Sequence, residues 1–311
     1  MSNHQVVILG ETTGWHVTCL TRALKKQGQR VAVVSWLHLS TSIGPLCSSS
    51  EDFGPPVIND AELIIVRSMP AGMDPAYRLE EVIFRMNLLS RFVDHGKIVI
   101  NTPQSLEISI DKHLSLCHLK KHGLRVPMTR VVQGIDAVQH AWEQFDGDCL
   151  IKPLFGSQGR GLKRLTSVHD VQELCRNAVA HDPKAGIFLM QEYISHEGWD
   201  VRIMLAGPHT FAMRRRAAPG EWRTNLACGG SAEAFSPPQE WIDYARKAAD
   251  AVGSEIAGVD LLPSKDGGVV VLEVNGVPGW RGLERATGAP ITEAVARHLS
   301  HTVSETFSHE K

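Results

Sequence analysis

Three oxygen-bearing side chains near the C-terminal end of the 311-residue chain are spaced so that they can meet: Asp260, Glu273 and Asn275. They lie in two runs rich in β-branched residues, 258–264 and 269–275, flanking the polar, glycine-containing stretch 265–268. That arrangement predicts an antiparallel hairpin. With a four-residue loop, Ser264 pairs with Val269, and counting back sets Asp260 opposite Glu273. Strand alternation then returns Asn275 to the same face, roughly 7 Å along. A loop one residue longer would turn Asp260 to the other face. Two carboxylates and an amide oxygen, with no His or Cys nearby, form a hard donor set that selects Mg²⁺ or Mn²⁺ over zinc. Such a metal usually arrives with a nucleotide phosphate.

Cations that could meet a phosphate stand upstream. Lys152 ends an otherwise apolar run, where a charge must find an anion. After it come Gly156, Ser157, Gln158, Gly159 and Gly161, a loop whose glycines let backbone N–H groups approach phosphate oxygens. No Gly-Lys-Ser/Thr follows, so this is not a Walker loop. Lys112 begins a predicted helix and could serve the same site or simply face water. Glu192 and Tyr193, where a strand leaves this region, could line an adenine slot. Asp200 and Arg202 share one strand face, and Arg214, Arg215, Arg216 and Arg223 add further cations. Arg215 points away from Arg214 and Arg216, so only part of this cluster can address one site. Arginines fork onto phosphate and carboxylate alike.

The elements that position these groups follow from hydrophobic spacing. Residues 6–9 form a buried strand ending in Gly10, a helix runs from about Trp15 to a stop at Gly28, and 31–35 is a second strand. Strands at 62–67 and 98–101 enclose a helix at 75–93, with Leu79, Val82, Met86, Leu89 and Val93 at helical spacing. Residues 38–56 read as an irregular loop. Strands alternating with helices imply a mainly parallel sheet. Its opening lacks G-x-G-x-x-G and an acidic end to the second strand, which argues against a dinucleotide site. A helix from 112 to 122 opens a second unit with strands near 131, 150–153 and 189–194. Strands at 200–206 and 210–216, the hairpin, and helices at 238–252 and from about 291 complete a third. The expected class is α/β, α+β in the later part, with units at 1–105, 106–192 and 193–311.

Composition excludes several functions. The chain is 43% hydrophobic and 21% charged with a formal net charge of -2, so no field favours a polyanion or a membrane. Nucleic-acid binding loses its electrostatic support, and no aromatic ladder interleaves the arginines. No apolar run approaches the roughly 20 residues that span a bilayer. Met1 leads into an apolar strand without a basic region or cleavage site, so a cytoplasmic protein is expected. Six cysteines are scattered without a C-x-x-C pair, which suggests neither a zinc site nor a disulfide framework.

Read in order, Lys112, Lys152 with the glycine loop, Gln191 to Ile194, Asp200 with Arg202, Arg223 to Asn225 before Gly229 and Gly230, Asp260, and Glu273 with Asn275 before Pro278 and Gly279 resemble the ATP-grasp ligases of the RimK type. The resemblance covers about residues 100 to 300. It implies a two-lobed ATP-grasp fold after an α/β domain, and an ATP-dependent carboxylate-amine ligase acting through an acylphosphate. Lys112 and Lys152 would then hold ATP phosphates, while Glu192, Tyr193 and Ile194 bracket adenine above Leu272 and Asp200 lies near the ribose. Asp260, Glu273 and Asn275 would bind two Mg²⁺ (or Mn²⁺) ions. Arg202, Arg215, Arg223 and Asn225 would face the phosphoryl group and the carboxylate that receives it.

The substrates implied are a small carboxylate and an amine, glutamate foremost, in a homo-oligomeric enzyme. Ala227 and Cys228, and Trp280 and Arg281, depart from the pattern of many relatives and touch the substrate side. Residues 213–216, 222–225 and 278–283, with Gly14, Trp15 and His16, are similar to the branch associated with tetrahydromethanopterin, which implies a reduced pterin acceptor. Trp280 would stack on that acceptor and Arg281 pair with its carboxylate, or both tryptophans pack at a domain interface. A peptide ligase of the RimK type and a non-catalytic ATP-binding regulator are the alternatives.

Overall fold

The computed structural model describes residues 4–42, 52–68, 78–155, 161–181, 186–264 and 268–308. Its first part is built from β1 (Gln5–Leu9), α1 (Trp15–Lys26), β2 (Arg30–Val34), α2 (Pro56–Asn59), β3 (Leu63–Val66), α3 (Arg78–Asp94) and β4 (Ile98–Ile100). The four strands are parallel in the order β2-β1-β3-β4. Continuous apolar runs become central strands here because both faces are covered, and Val6 to Leu9 have no exposed surface. Gly28 ends α1 at φ +86°, a backbone that a side chain would strain.

One expectation fails in this part. The stripe Leu79, Val82, Met86, Leu89 and Val93 is not the buried face of α3: Leu79 is 71% and Val93 44% exposed, while Arg85, Leu88, Leu89 and Phe92 are buried. The helix carries two apolar stripes, and spacing alone cannot rank them. Phe53 meets Phe92 edge-on at 4.9 Å and Trp36 lies under Arg85, so packing chose the second stripe.

Two helices at nearly a right place for one follow: α4 (Pro103–Ile110), not foreseen, and α5 (Lys112–Lys121). Thr102 caps the first through Ser105 N, and the Asp111 carboxylate caps the second through the N–H groups of His113 and Leu114. The Asp111 cap is what sets Lys112 at the helix start. Next come β5 (Thr129–Gln133), α6 (Asp136–Glu143), β6 (Cys149–Lys152), β7 (Lys163–Leu165), α7 (Val168–His181) and β8 (Ile187–Glu192), an antiparallel sheet ordered β5-β8-β6-β7.

The last part holds β9 (Trp199–Ala206), β10 (His209–Arg216), β11 (Ser231–Ala234), α8 (Gln239–Ala251), β12 (Ile256–Pro263), β13 (Val269–Asn275), α9 (Arg281–Thr287) and α10 (Ile291–Ser308). Its antiparallel sheet runs β11-β10-β9-β12-β13. One face packs on α8 through Ala245, Ala248 and Val252 as the spacing predicts. The other shares a core with the first sheet, in which Ile8, Leu20 and Leu24 meet Met204, Trp280, Val295 and Leu299. Asn101, at the end of β4, pins the two together: its amide donates to Ile256 O and Gly276 O and accepts from Glu255 N and Ile256 N. The α/β class read from the sequence is borne out. No helix among the described residues is long and apolar enough to cross a membrane.

Candidate active site

The hairpin forms, but by a different route from the one expected. Pro263, not Ser264, pairs with Val269, so the turn is one residue longer than the count assumed. A bulge between Asp260 and Leu261 then takes up Leu272 as an extra residue, after which Asp260 pairs with Glu273 and Gly258 with Asn275. The bulge restores the face that the longer turn would have lost. It also sets Leu272 and Glu273, neighbours in sequence, both into the wall of one cleft. That cleft, about 910 Å³ with its open mouth included, lies between the sheet of β5 to β8 and the sheet of β9 to β13. Its size suits a nucleotide-sized ligand.

Most of the sequence-predicted residues line it. Lys112 and Lys152 enter from α5 and β6, Glu192, Tyr193 and Ile194 from the end of β8, and Asp200, Arg215, Arg223, Asn225, Asp260, Leu272 and Glu273 from the other sheet and its loops. Gly161 adopts φ +73° beside the Pro153 ring. Gly156, Ser157, Gln158 and Gly159 lie outside the described residues. Arg202 and Asn275 stand outside the lining, against Asp260 and Glu273.

The lysines meet one carboxylate. Lys112 Nζ lies 3.8 Å from Glu273 Oε1. Lys152 donates to Gln191 Oε1, and Gln191 in turn donates to Thr129 Oγ1 at 2.9 Å. Burial pulls Lys152 down to about 8, against the attraction of Glu273 and with the repulsion of Lys112. A phosphate placed here would return its charge. Beside these cations Leu150, Ile194, Leu262 and Leu272 provide apolar wall. The Tyr193 ring carries the Arg164 guanidinium at 3.3 Å on one side and meets Trp222 edge-on at 5.8 Å. Glu192 holds the preceding segment, its carboxylate accepting from Met128 N at 2.7 Å.

Opposite runs a buried relay of charge. Cross-strand register sets Arg202 beside Asp260 and Asp200 beside Arg215. Arg202 forks onto the Asp260 carboxylate, with Nη2 to Oδ2 at 2.7 Å, and Arg215 Nη2 reaches the same oxygen at 3.1 Å. Arg215 forks in turn onto Asp200, which also accepts from Thr224 Oγ1 at 2.7 Å. Burial alone would raise Asp260, yet Arg202 and Arg215 hold it below the ordinary carboxylate range. Asp200, expected beside a ribose, therefore has its carboxylate committed to holding Arg215. Arg214 and Arg216 pair with Glu233 away from this cleft, as strand alternation requires. Arg223 pairs with Glu221 at 2.6 Å, and that bond holds Glu221 down at about 2. Its Nε is buried without a partner among the described residues, a donor aimed for something the chain does not supply.

Among the described residues no three His, Cys, Asp or Glu side chains gather as a metal cluster. The donor set here is two carboxylates and an amide, with the Asn275 amide best oriented nitrogen toward Glu273 Oε1 and oxygen toward Arg202 Nη2. Such a set fits a cation whose other ligands are phosphate oxygens and water.

Trp280 is a correction. It does not stand at a substrate mouth: the ring is fully buried, its Nε1 donates to Thr292 Oγ1 at 2.9 Å, and it packs against His16 and Arg67. The shared core of the two sheets claims it. Arg281 lies over Trp15 instead, at 5.7 Å. Reading the sequence gave no role of their own to Gln191, Trp222 and Thr224, which line the cleft inside or beside the quoted runs. A polar residue inside the apolar strand β8 was a visible sign for Gln191, whereas Trp222 and Thr224 sit in a loop whose path no periodicity gives.

Comparisons agree with this geometry. A family model described as the RimK-like ATP-grasp domain matches residues 109–299. A tetrahydromethanopterin:alpha-L-glutamate ligase of Methanosarcina acetivorans is 28% identical over 95% of this chain and 98% of its own. A probable alpha-L-glutamate ligase of Chromohalobacter salexigens is 37% identical over 70% of this chain and 72% of its own. Among solved structures, the ATP-grasp ligase PsnB, complexed with a phosphomimetic variant of its minimal precursor, Mg and ADP, superposes with a TM-score of 0.75 at 22% identity over 97% of this chain and 99% of that one. With that family model spanning well over half of its length, the chain belongs to the RimK-like ATP-grasp family.

Proposed function

We propose that the chain is an ATP-dependent carboxylate-amine ligase that adds L-glutamate to a small-molecule acceptor, a reduced pterin cofactor being the foremost candidate. The observation that carries the reading is the meeting of Lys112 and Lys152 with Asp260 and Glu273 beside an apolar slot in one cleft. The alpha-L-glutamate ligase names of the relatives support the transferred group, and the Methanosarcina relative, matched over nearly all of both chains, supports the acceptor.

In this reading Ile194, Leu262 and Leu272 hold the adenine, and Lys112 and Lys152 take the phosphates, with Gln191 aiming Lys152. Asp260, Glu273 and Asn275 would hold two Mg²⁺ ions, which supply charge neutralisation at the phosphates when bound. The acceptor carboxylate attacks the terminal phosphorus of ATP, giving an acylphosphate and ADP. The amine of glutamate then attacks the acyl carbon, phosphate leaves with the C–O bond electrons, and the nitrogen loses a proton. Arg223 and Asn225 face the carboxylate and the departing phosphate, where oriented donors stabilise charge as it develops. Arg215, fixed by Asp200, lends its positive field from the cleft wall.

The test offers the purified protein ATP, Mg²⁺ and glutamate with reduced pterins, peptide tails or free amino acids as acceptors. ADP and phosphate formed one to one with a glutamylated pterin are expected, and hydroxylamine in place of glutamate should trap a hydroxamate of the acceptor. Formation of AMP and pyrophosphate would refute the acylphosphate, and glutamylation of peptides alone would refute the small-molecule acceptor.

A further inference from the structure

The carboxyl edge of the parallel sheet carries a second group of cations that the ligase cleft does not use. Strand order β2-β1-β3-β4 means that the chain leaves β1 toward one side and later passes to the other, so the switch point of the sheet lies beyond the ends of β1 and β3. Open α/β sheets bind ligands at such a switch point. Gly10 follows β1 and Arg67 follows β3, and a Cβ on Gly10 would lie 3.5 Å from that of Arg67. The first helix starts from the same edge with Trp15 and His16.

Arg67 is unlike the arginines of the ligase sheet. Nη2 donates to the Pro278 carbonyl at 2.9 Å, and the guanidinium lies 4.3 Å over the Trp280 ring. Nε is buried with no partner, and no ion pair joins Arg67 to a carboxylate among the described residues. Burial, with nothing opposing it, pulls Arg67 down to about 10. His16 Nε2 accepts from Trp280 N at 2.9 Å and Arg281 N at 3.3 Å, so the ring is neutral and its proton sits on Nδ1. Burial, then Arg67 and Arg281, push His16 down to about 4. Two cations and a neutral donor thus share one corner, and the nearby Glu284 is turned to Thr292 N. A half-buried cation that meets no anion among the described residues costs stability unless a ligand supplies one.

The corner adjoins the ligase cleft. Pro278 follows the end of β13 by three residues, and a Cβ on Gly258 would lie 3.1 Å from Pro278 Cβ and 3.2 Å from Arg202 Nη1. Pro278 is therefore the wall between Arg67 and Arg202. Leu226, next to Asn225, closes on the start of α9 at Gly282. We propose that Arg67, with Arg281 at the rim, is a subsite for a carboxylate that does not react: the free carboxylate of the incoming dicarboxylic amino acid or of the acceptor, held while its other end lies in the cleft by Arg223 and Asn225. A single guanidinium fork matches one carboxylate, whereas the phosphates already have two lysines. The assignment rests on the ligase reading.

The experiment compares wild type, Arg67→Gln, Arg67→Lys and Arg281→Gln, measuring ADP release and the KM of each substrate alongside thermal unfolding. Arg67→Gln should raise the KM of one carboxylate substrate about 10- to 100-fold, with KM for ATP unchanged and folding retained, and Arg67→Lys should recover part of the loss. Whether the KM of glutamate or of the acceptor moves identifies the source. Glutarate, which lacks an amine, should inhibit wild type competitively and lose that effect in Arg67→Gln. A folded Arg67→Gln enzyme with all KM values unchanged overturns the subsite. Should that variant not fold, Arg281→Gln decides, with an unchanged KM and unchanged glutarate inhibition counting against the proposal. Failure of the ligase reading looks different: wild type then releases no ADP with any acceptor, and calorimetric binding of glutarate, present or absent, still judges Arg67.

Discussion

Two arginines, Arg215 buried and Arg67 half-buried, hold their charge under opposite conditions. Arg215, in the middle of the ligase sheet, is 5% exposed and lies between Asp200 and Asp260. Burial works against its charge, but the two carboxylates overcome this and hold it above its ordinary value. Arg67, at the edge of the parallel sheet, has a carbonyl and an aromatic face but no carboxylate among the described residues, and burial lowers it. The first cation is part of the architecture, since removing it would leave two buried anions. The second carries its charge without an anion among the described residues. Charge placement alone does not separate a structural residue from a binding one; the state of its partners does.

The sharpest way to break this comparison is Arg215→Met, which leaves Asp200 and Asp260 buried without their shared cation. A loss of about 3 to 5 kcal/mol is expected in urea unfolding, together with loss of turnover. A variant as stable as wild type would show that Arg215 is no keystone.

Next in size is Glu273→Gln. The Lys112 contact it removes is long, at 3.8 Å, and worth about 1 kcal/mol or less, so circular dichroism should report an intact fold. Turnover should nevertheless fall about a hundredfold or more, with a raised Mg²⁺ requirement, because charge at the phosphates goes uncompensated. Wild-type kinetics at saturating ATP would remove Glu273 from the site.

A pH series sharpens the contrast at Lys152. Its folded value of about 8 lies below the ordinary 10.5, so between these the free folded protein has shed a proton that the unfolded chain keeps. Stability should therefore rise with pH across that window. ATP binding needs the charged lysine, so the KM for ATP should climb above pH 8 by up to roughly tenfold per unit. Lys152→Arg, always charged, should flatten the slope.

The smallest effect is the most telling. Arg67→Met keeps the volume and loses one hydrogen bond and a cation–π contact, so stability should change by no more than about 1 kcal/mol. Equal destabilisation by Arg67→Met and Arg215→Met would erase the distinction between the two arginines.

Much of the ligase cleft was legible before any coordinates. Asp260 and Glu273, with Asn275 behind them, announced themselves through alternation, and Lys152 through the cost of a charge in an apolar strand, because these signals are local. Gln191 could have been read the same way. Arg67 was passed over as the end of a strand, since nothing in its neighbours tells that Pro278 and Trp280, more than 200 positions away, will close on it.

The sequence by itself determined the order and kind of most elements, the hairpin, and which charged residues stand in apolar strands, for strand and helix periods are properties of neighbours. Tertiary structure decided the rest. The count across the hairpin was rescued by a bulge at Leu272 rather than by the loop length assumed. The helix α3 buried Leu88 and Phe92 instead of Leu79 and Val93 because Phe53 and Trp36 supplied a surface that only one stripe fits. Trp280 went into the core and not to a substrate, since two sheets joined through Asn101 leave a cavity between them that a large ring fills. In each case the outcome depends on which distant surface arrives, and that is fixed by packing, where shape and not spacing chooses.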